Sequence, residues 1–180
     1  MSHRLFVAIR PPECIRDALI DRMEGLEGAN WQGEDQLHLT LRFIGDADGP
    51  LAEDIAESLA TIGMESFTLA LAGVGHFERR GRPHTLWAGV MASKELLALA
   101  DRVESACRRA GCAPETRKFA PHVTIARLNR STVPIGQWIA RNGDLRSEPW
   151  AVEAFTLYES HLGRGGALYE PVVRYQLKPA

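Results

Sequence analysis

The chain predicts an α+β fold in which two similar halves pack as one body. Three observations carry that prediction. The order strand–helix–strand–helix–strand is readable twice, over residues 4–76 and again over 84–177. A short pattern, His-x-Thr between apolar residues, stands on the third element of both halves. No linker, low-complexity segment or charge block separates the halves within 180 residues, a length that suits one domain spanning 1–180.

Residues 4–9 form a short apolar strand that stops at Pro11-Pro12. Prolines open a helix readily, because the amide they lack would have no partner there. The helix should run to about Leu26, with Ile15, Leu19, Met23 and Leu26 on one face. Residues 36–44 read as the next strand. Leu51, Ile55, Leu59 and Ile62 recur at helical spacing and Gly63 follows as a stop. Phe67, Leu69 and Leu71 then alternate with smaller or polar residues, the period of a strand. In the second half residues 84–91 are a strand. Ser93 caps a helix whose stripe is Leu96, Ala100, Val103, Cys107 and Ala110, ending at Gly111. Residues 121–128 are a strand, 135–141 a short helix and 150–159 another strand. A terminal hairpin turns through residues 163–166 into 168–177.

Composition narrows the function. With 21 Lys+Arg against 23 Asp+Glu the net charge is −2, which argues against a broad basic face gripping long nucleic acid through many phosphates. Recognition of a single phosphate or a chain end stays open. The 45% apolar fraction excludes bulk disorder, and no apolar run reaches the ~18–20 residues of a membrane span. The N-terminus lacks the apolar core of a signal peptide, which predicts a cytoplasmic protein. Cys14, Cys107 and Cys112 are an odd number and read as free thiols. Cys107 and Cys112 have no further ligands at zinc spacing, so neither metal nor cofactor is expected, and no obligate protein partner is indicated.

The chemistry lies in Leu37-His38-Leu39-Thr40-Leu41 and Pro121-His122-Val123-Thr124-Ile125, with the histidines 84 positions apart. Strand side chains alternate, so His38 and Thr40 share one face and the leucines the other; His122 and Thr124 repeat this. One His-x-Thr arises easily by chance. Two at matching places in a duplicated chain do not. If the halves face each other about a pseudo-twofold axis, two imidazoles and two hydroxyls converge on one cleft. One imidazole can take a proton from water while the other gives one to a leaving oxygen. The hydroxyls can donate to the non-bridging oxygens of a five-coordinate phosphorus. The set fits in-line attack on a phosphodiester.

On these residues the sequence resembles the 2H phosphoesterase superfamily, and within it the RNA 2′,3′-cyclic phosphodiesterases, also called 2′-5′ RNA ligases. The resemblance extends through Arg4-Leu5-Phe6-Val7-Ala8-Ile9, Leu37 to Gly45, Leu86-Trp87-Ala88-Gly89, Phe119 to Arg127 and Phe155 to Ser160. It implies a bilobal fold of two antiparallel sheets around a central cleft with helices outside. It implies metal-independent opening of a 2′,3′-cyclic phosphate, on RNA ends or small nucleotides, to a 2′-phosphate. His38 would protonate the departing 3′ oxygen, His122 would activate water, and Thr40 and Thr124 would hold phosphate oxygens. Phe119 would lie against the terminal base and Arg127 would contact phosphate. The alternatives are the reverse joining of RNA ends through a 2′-5′ linkage and a nucleotide- or RNA-binding module without turnover.

Strand parity qualifies two arginines. Arg42 is in phase with His38 and Thr40, which points it at the cleft or its rim. Arg127 is in phase with Val123 and Ile125, so it reaches the cleft only if the strand bends, bulges or ends near Ala126; otherwise it makes a structural salt bridge. His3, His76, His84 and His161 read as surface or strand-end residues, and residues 163–166 as a plain turn. Arg79-Arg80-Gly81-Arg82 reads as a solvated turn that could also help a longer RNA lie across the cleft.

Overall fold

A computed structural model describes residues 1–180, and its elements follow the predicted order. They are β1 (Ser2–Ile9), α1 (Glu13–Ile20), β2 (Asn30–Trp31), a 3₁₀ turn (Glu34–Gln36), β3 (Leu39–Asp48), α2 (Gly49–Ala60), β4 (Phe67–Leu69) and β5 (Leu71–Arg79). The second half gives β6 (Arg82–Val90), α3 (Lys94–Arg109), β7 (His122–Arg127), α4 (Gly136–Asn142), β8 (Trp150–Val152), β9 (Ala154–Gly163) and β10 (Gly166–Gln176). As expected, α and β elements are mixed in an antiparallel arrangement with helices covering the outer faces.

Boundaries differ where local chemistry overrides the pattern. Helix α1 stops at Ile20 rather than near Leu26, and the chain then turns through Gly25 and Gly28, both at positive φ. Leu26 still reaches the core, from a loop. The strand expected over 36–44 starts only at Leu39, because residues 34–36 form the 3₁₀ turn. Each half also breaks its closing strand in two, into β4 and β5 in the first and β8 and β9 in the second. The short pieces β4 and β8 pair with each other in a separate two-stranded ribbon.

The long strands run in the order β10-β9-β1-β3-β7-β6-β5, with β2 added beside β7. One residue pair, Leu39 with Val123, joins β3 to β7. The path is therefore two antiparallel sheets, β10-β9-β1-β3 and β7-β6-β5 with β2, hinged at that pair. The sequence halves do not each keep their own strands. Strand β5 of the first half lies on β6 of the second, and β9 of the second lies on β1 of the first. The halves thus exchange their closing strands, and neither lobe can form without both.

One apolar core of 35 buried residues fills the space between the sheets and the helices. Leu96, Leu99, Ala100, Val103, Ala106 and Cys107 form the buried stripe of α3, whose first turn is capped by the Ser93 hydroxyl accepting from the Leu96 amide. Leu37, Leu39, Leu41, Val123 and Ile125 belong to this core. A second, small cluster of Phe6, Ala8 and Tyr158, with Tyr169 packed against it, is separate from it. No helix is long and apolar enough to cross a membrane.

Candidate active site

The hinge pair fixes the site. Leu39 and Val123 face each other and are both fully buried in the core. Carrying the antiparallel register one step either way sets His38 opposite Thr124 and Thr40 opposite His122, all on the face away from the core. Two imidazoles and two hydroxyls therefore occupy the corners of a small square, each histidine facing the threonine of the other motif. All four side chains are half-buried.

The two rings are held alike. The Nδ1 of His38 lies 2.7 Å from the Gln36 carbonyl, and the Nδ1 of His122 lies 2.6 Å from the Ala120 carbonyl. A carbonyl only accepts, so each Nδ1 carries the proton and donates. Each Nε2 is then an unprotonated ring nitrogen that no side chain or carbonyl engages. In each motif the accepting carbonyl belongs to the residue two before the histidine, which is a local duplication of geometry as well as of sequence.

The surroundings hold both rings neutral. Burial pushes the His38 pKa down to about 4, against the pull of the Gln36 carbonyl, and the nearby His122 and Arg127 add to the lowering. His122 is lowered by burial and by Arg127 in the same way. Aromatic rings supply much of that desolvation. The His38 ring packs 4.9 Å from Phe6 and 5.1 Å, edge-on, from Tyr169. The His122 ring meets Phe77 edge-on at 4.9 Å and lies 6.2 Å from Trp87. Trp87 can lie there because its strand neighbour is Gly75, where a Cβ would come within 2.4 Å of the indole.

Both motif strands bulge at the third residue after the histidine, and this settles the two arginines. On β7, Leu86 pairs with Ala126 but Trp87 pairs with Thr124, which leaves Ile125 as the extra residue. Ile125 and Ala126 then both face the core, and Arg127 turns to the cleft. There it donates to the Thr85 hydroxyl at 3.1 Å and acts electrostatically on His38, His122 and Tyr169. On β3, Ala8 pairs with Thr40 and Val7 with Arg42, so Leu41 is the extra residue. Arg42 is thereby sent away from the cleft and its rim, contrary to its phase with His38. It is buried beside α3, donating to the Glu104 carboxylate and, at 2.6 Å each, to the Phe43 and Ala113 carbonyls.

The other expected residues fall outside the square. Phe119 is half-buried against the edge of the main core, three residues before His122. His3, His76 and His161 pair with Glu159, Glu78 and Glu170, and His84 contacts Thr85. Residues 163–166 form the turn between β9 and β10, and the three cysteines are free thiols. Sequence reading missed Phe6, Tyr158, Tyr169 and Phe77 as walls of the site. Their signal was aromatic residues within strands, but which strands meet at His38 is decided by the long-range pairing of β9 with β1.

The chain matches the 2′-5′ RNA ligase superfamily over residues 11–164. It is 36% identical over 150 residues to the RNA 2′,3′-cyclic phosphodiesterase of Aeropyrum pernix, covering 82% of this chain and 84% of that protein. It is 31% identical over 182 residues to the Escherichia coli RNA 2′,3′-cyclic phosphodiesterase, covering 97% and 96%. Among solved structures, a phosphoesterase superposes with a TM-score of 0.84 at 30% identity, covering 99% of both chains. Escherichia coli LigT complexed with 3′-AMP gives a TM-score of 0.80 at 29% identity, covering 98% of this chain and 99% of that one. Duplicated His-x-Thr strands, sheets that hinge between them and matches along nearly the whole length agree on one assignment. The chain belongs to the 2′-5′ RNA ligase superfamily.

Proposed function

We propose that this protein hydrolyses 2′,3′-cyclic phosphates, at RNA ends or on small nucleotides, to 2′-phosphomonoesters, using His38 and His122 as its acid–base pair. The observation that carries this reading is the square around the Leu39–Val123 pair, in which both Nδ1 atoms are committed to carbonyls and both Nε2 atoms serve one cleft. The relatives named as RNA 2′,3′-cyclic phosphodiesterases support the substrate class.

In the reaction, the neutral Nε2 of His122 takes a proton from water as the water oxygen bonds to phosphorus. The bond from phosphorus to O3′ breaks on the opposite side, and protonated His38 delivers its Nε2 proton to O3′. The phosphoryl group stays on O2′. Thr40 and Thr124 donate to the non-bridging oxygens, and Arg127 offsets the charge that gathers there. Phe119 gives the terminal base an apolar neighbour. The division into acid and base follows the family resemblance, since the sheet pairing is symmetric. The two imidazoles carry both proton transfers, so this route calls on no metal.

His38 at about 4 is neutral before substrate arrives. The anionic phosphate opposes the nearby Arg127 charge and favours a proton on the ring, so substrate charge completes the acid. The test is incubation, with EDTA present, with an oligoribonucleotide ending in a 2′,3′-cyclic phosphate. A 2′-phosphate product should form, and His38→Ala or His122→Ala should lower its rate by about 10²–10⁴. Tight binding without turnover would make the protein a binding module. A 3′-phosphate product would show that the other ester bond breaks.

A further inference from the structure

The β5–β6 hairpin and the segment after β7 enclose a concavity of about 590 Å³ whose polar lining includes Arg79, Arg80, Arg82, His84 and Arg130, with no carboxylate among its eight residues. The arginine salt bridges of the molecule involve Arg10, Arg16, Arg22, Arg42 and Arg117 instead. Four unpaired guanidinium groups thus converge in a chain whose net charge is −2. Like charges gathered without counter-charge repel one another, and an anion relieves that.

The hairpin tip carries a further sign. Arg79 pairs with Arg82, so Arg80 and Gly81 form a two-residue turn with φ of 53° and 74°. Such turns favour Asn-Gly, and a left-handed conformation costs a residue with a side chain about 1–2 kcal/mol. A third arginine is therefore held at the tip against backbone preference.

The pocket is joined to the cleft through Thr85. Thr85 accepts from Arg127, and its hydroxyl lies 2.7 Å from the His84 Nδ1. Arg82 is three residues back along β6, roughly 10 Å at about 3.3 Å per residue. Guanidinium groups therefore stand on both sides of Thr85, Arg127 beside the two histidines and Arg82 and Arg79 towards the hairpin. A single strand whose last phosphate sits in the cleft can lay its preceding phosphates along this track.

We propose that this pocket is a subsite for the sugar–phosphate backbone upstream of the reacting end, so that the substrate is a single-stranded RNA of several nucleotides rather than a mononucleotide. This rests on the activity proposed above and adds the substrate's length. Guanidinium contacts to phosphate carry no base information, so the preference is for chain length and not sequence.

The test compares the wild type with the triple variant R79A/R82A/R130A on a mononucleotide 2′,3′-cyclic phosphate and on a decaribonucleotide ending in the same group. The variant should lose tenfold or more in kcat/KM on the decamer, mainly through KM, while turnover of the mononucleotide is retained. Equilibrium binding of a decamer ending in a 3′-phosphate is measured alongside, at 50 and 200 mM salt. Three lost phosphate contacts at about 0.7 each in the salt slope mean that wild-type binding weakens roughly twentyfold more than the variant's over that range. The Arg→Lys triple variant should keep the wild-type slope. Equal losses on both substrates, or identical salt slopes for wild type and alanine variant, would overturn the subsite. If the wild type turned over neither substrate, the proposed activity would fall while the binding slopes still decided the subsite.

Discussion

Replacing His38 with glutamine should make the protein more resistant to acid, and by an amount the structure fixes. The folded state holds His38 at about 4, chiefly by burial, against 6.5 in an open chain. As pH falls through 6.5 the unfolded chain takes up a proton first, and the folded chain takes it only near 4. Between those values the unfolded state binds more protons, so His38 stabilisation is fully present above 6.5 and is lost as pH falls towards 4. At pH 5 the two pKa values give a loss of about 2 kcal/mol relative to pH 8. Glutamine stays uncharged at every pH, and its amide can still donate to the Gln36 carbonyl, so this loss should vanish. His122 and the outlying histidines are present in both proteins, and their contributions cancel in the comparison. Urea unfolding at pH 8 and pH 5 measures the effect. With a slope of about 2 kcal/mol/M, the midpoint of the wild type should fall by roughly 1 M more than that of His38→Gln. Equal falls would mean that the His38 ring reaches solvent in its protonated form, and the account of a desolvated, neutral imidazole would be wrong.

Two further outcomes follow from the same geometry. The pH profile of kcat/KM should be bell-shaped and displaced to acid, with one limb near 4 and the other below 6.5, because that parameter reports the free enzyme and both imidazoles are lowered there. Phosphate charge should move the kcat profile to higher pH, and a profile flat between pH 5 and 8 would sink the acid–base assignment. Glu104→Ala should cost about 2–3 kcal/mol in denaturant unfolding, because it removes the nearer of the two carboxylates at the buried Arg42 guanidinium and leaves only Glu115, at 3.5 Å. It also removes the acceptor for the Glu115 amide, so the segment leading to Phe119 and His122 loses a tether. No change in midpoint would show that Arg42 is satisfied by Glu115 and the Phe43 and Ala113 carbonyls without Glu104.

Much of the fold and the centre of the site are legible in the sequence because they depend on local period and on duplication. The α3 stripe and its Ser93 cap lie within one helix, so 3.6-residue spacing reports them directly. The His-x-Thr pairs are legible because a strand puts alternate residues on one face and because the pattern occurs twice. What is not legible depends on contacts between distant segments. Nothing local in residues 154–176 says that Tyr169 will stand beside His38, since β9 must first cross from the second half to pair with β1. The exchange of closing strands is equally silent, because β5 and β9 would satisfy the same alternation on either sheet.

The arginines show the limit of parity more sharply, since a one-residue difference in the motifs becomes a difference in what the side chain does. Both motif strands carry an extra residue at the same place, Leu41 in one and Ile125 in the other. Past that bulge the fourth residue after each histidine faces the helices and the fifth faces away from them. The first motif has its arginine at the fourth position, so Arg42 is driven under α3 and spends its donors on Glu104 and backbone carbonyls. The second has Ala126 at the fourth position and its arginine at the fifth, so Arg127 stands in the cleft beside both histidines. Phe43 holds the place in the first lobe that Arg127 holds in the second, and is more than a third exposed. The duplicated strands thus keep the four polar groups of the square symmetric while making its flanks unlike, one apolar and one cationic. A pair of imidazoles in identical surroundings would have no reason to differ in proton affinity. Here burial is the largest cause of the lowering at each ring, and the walls differ, Phe6 and Tyr169 at His38 against Phe77 and Trp87 at His122. The bulge and the one-residue offset add Arg127, which lowers both.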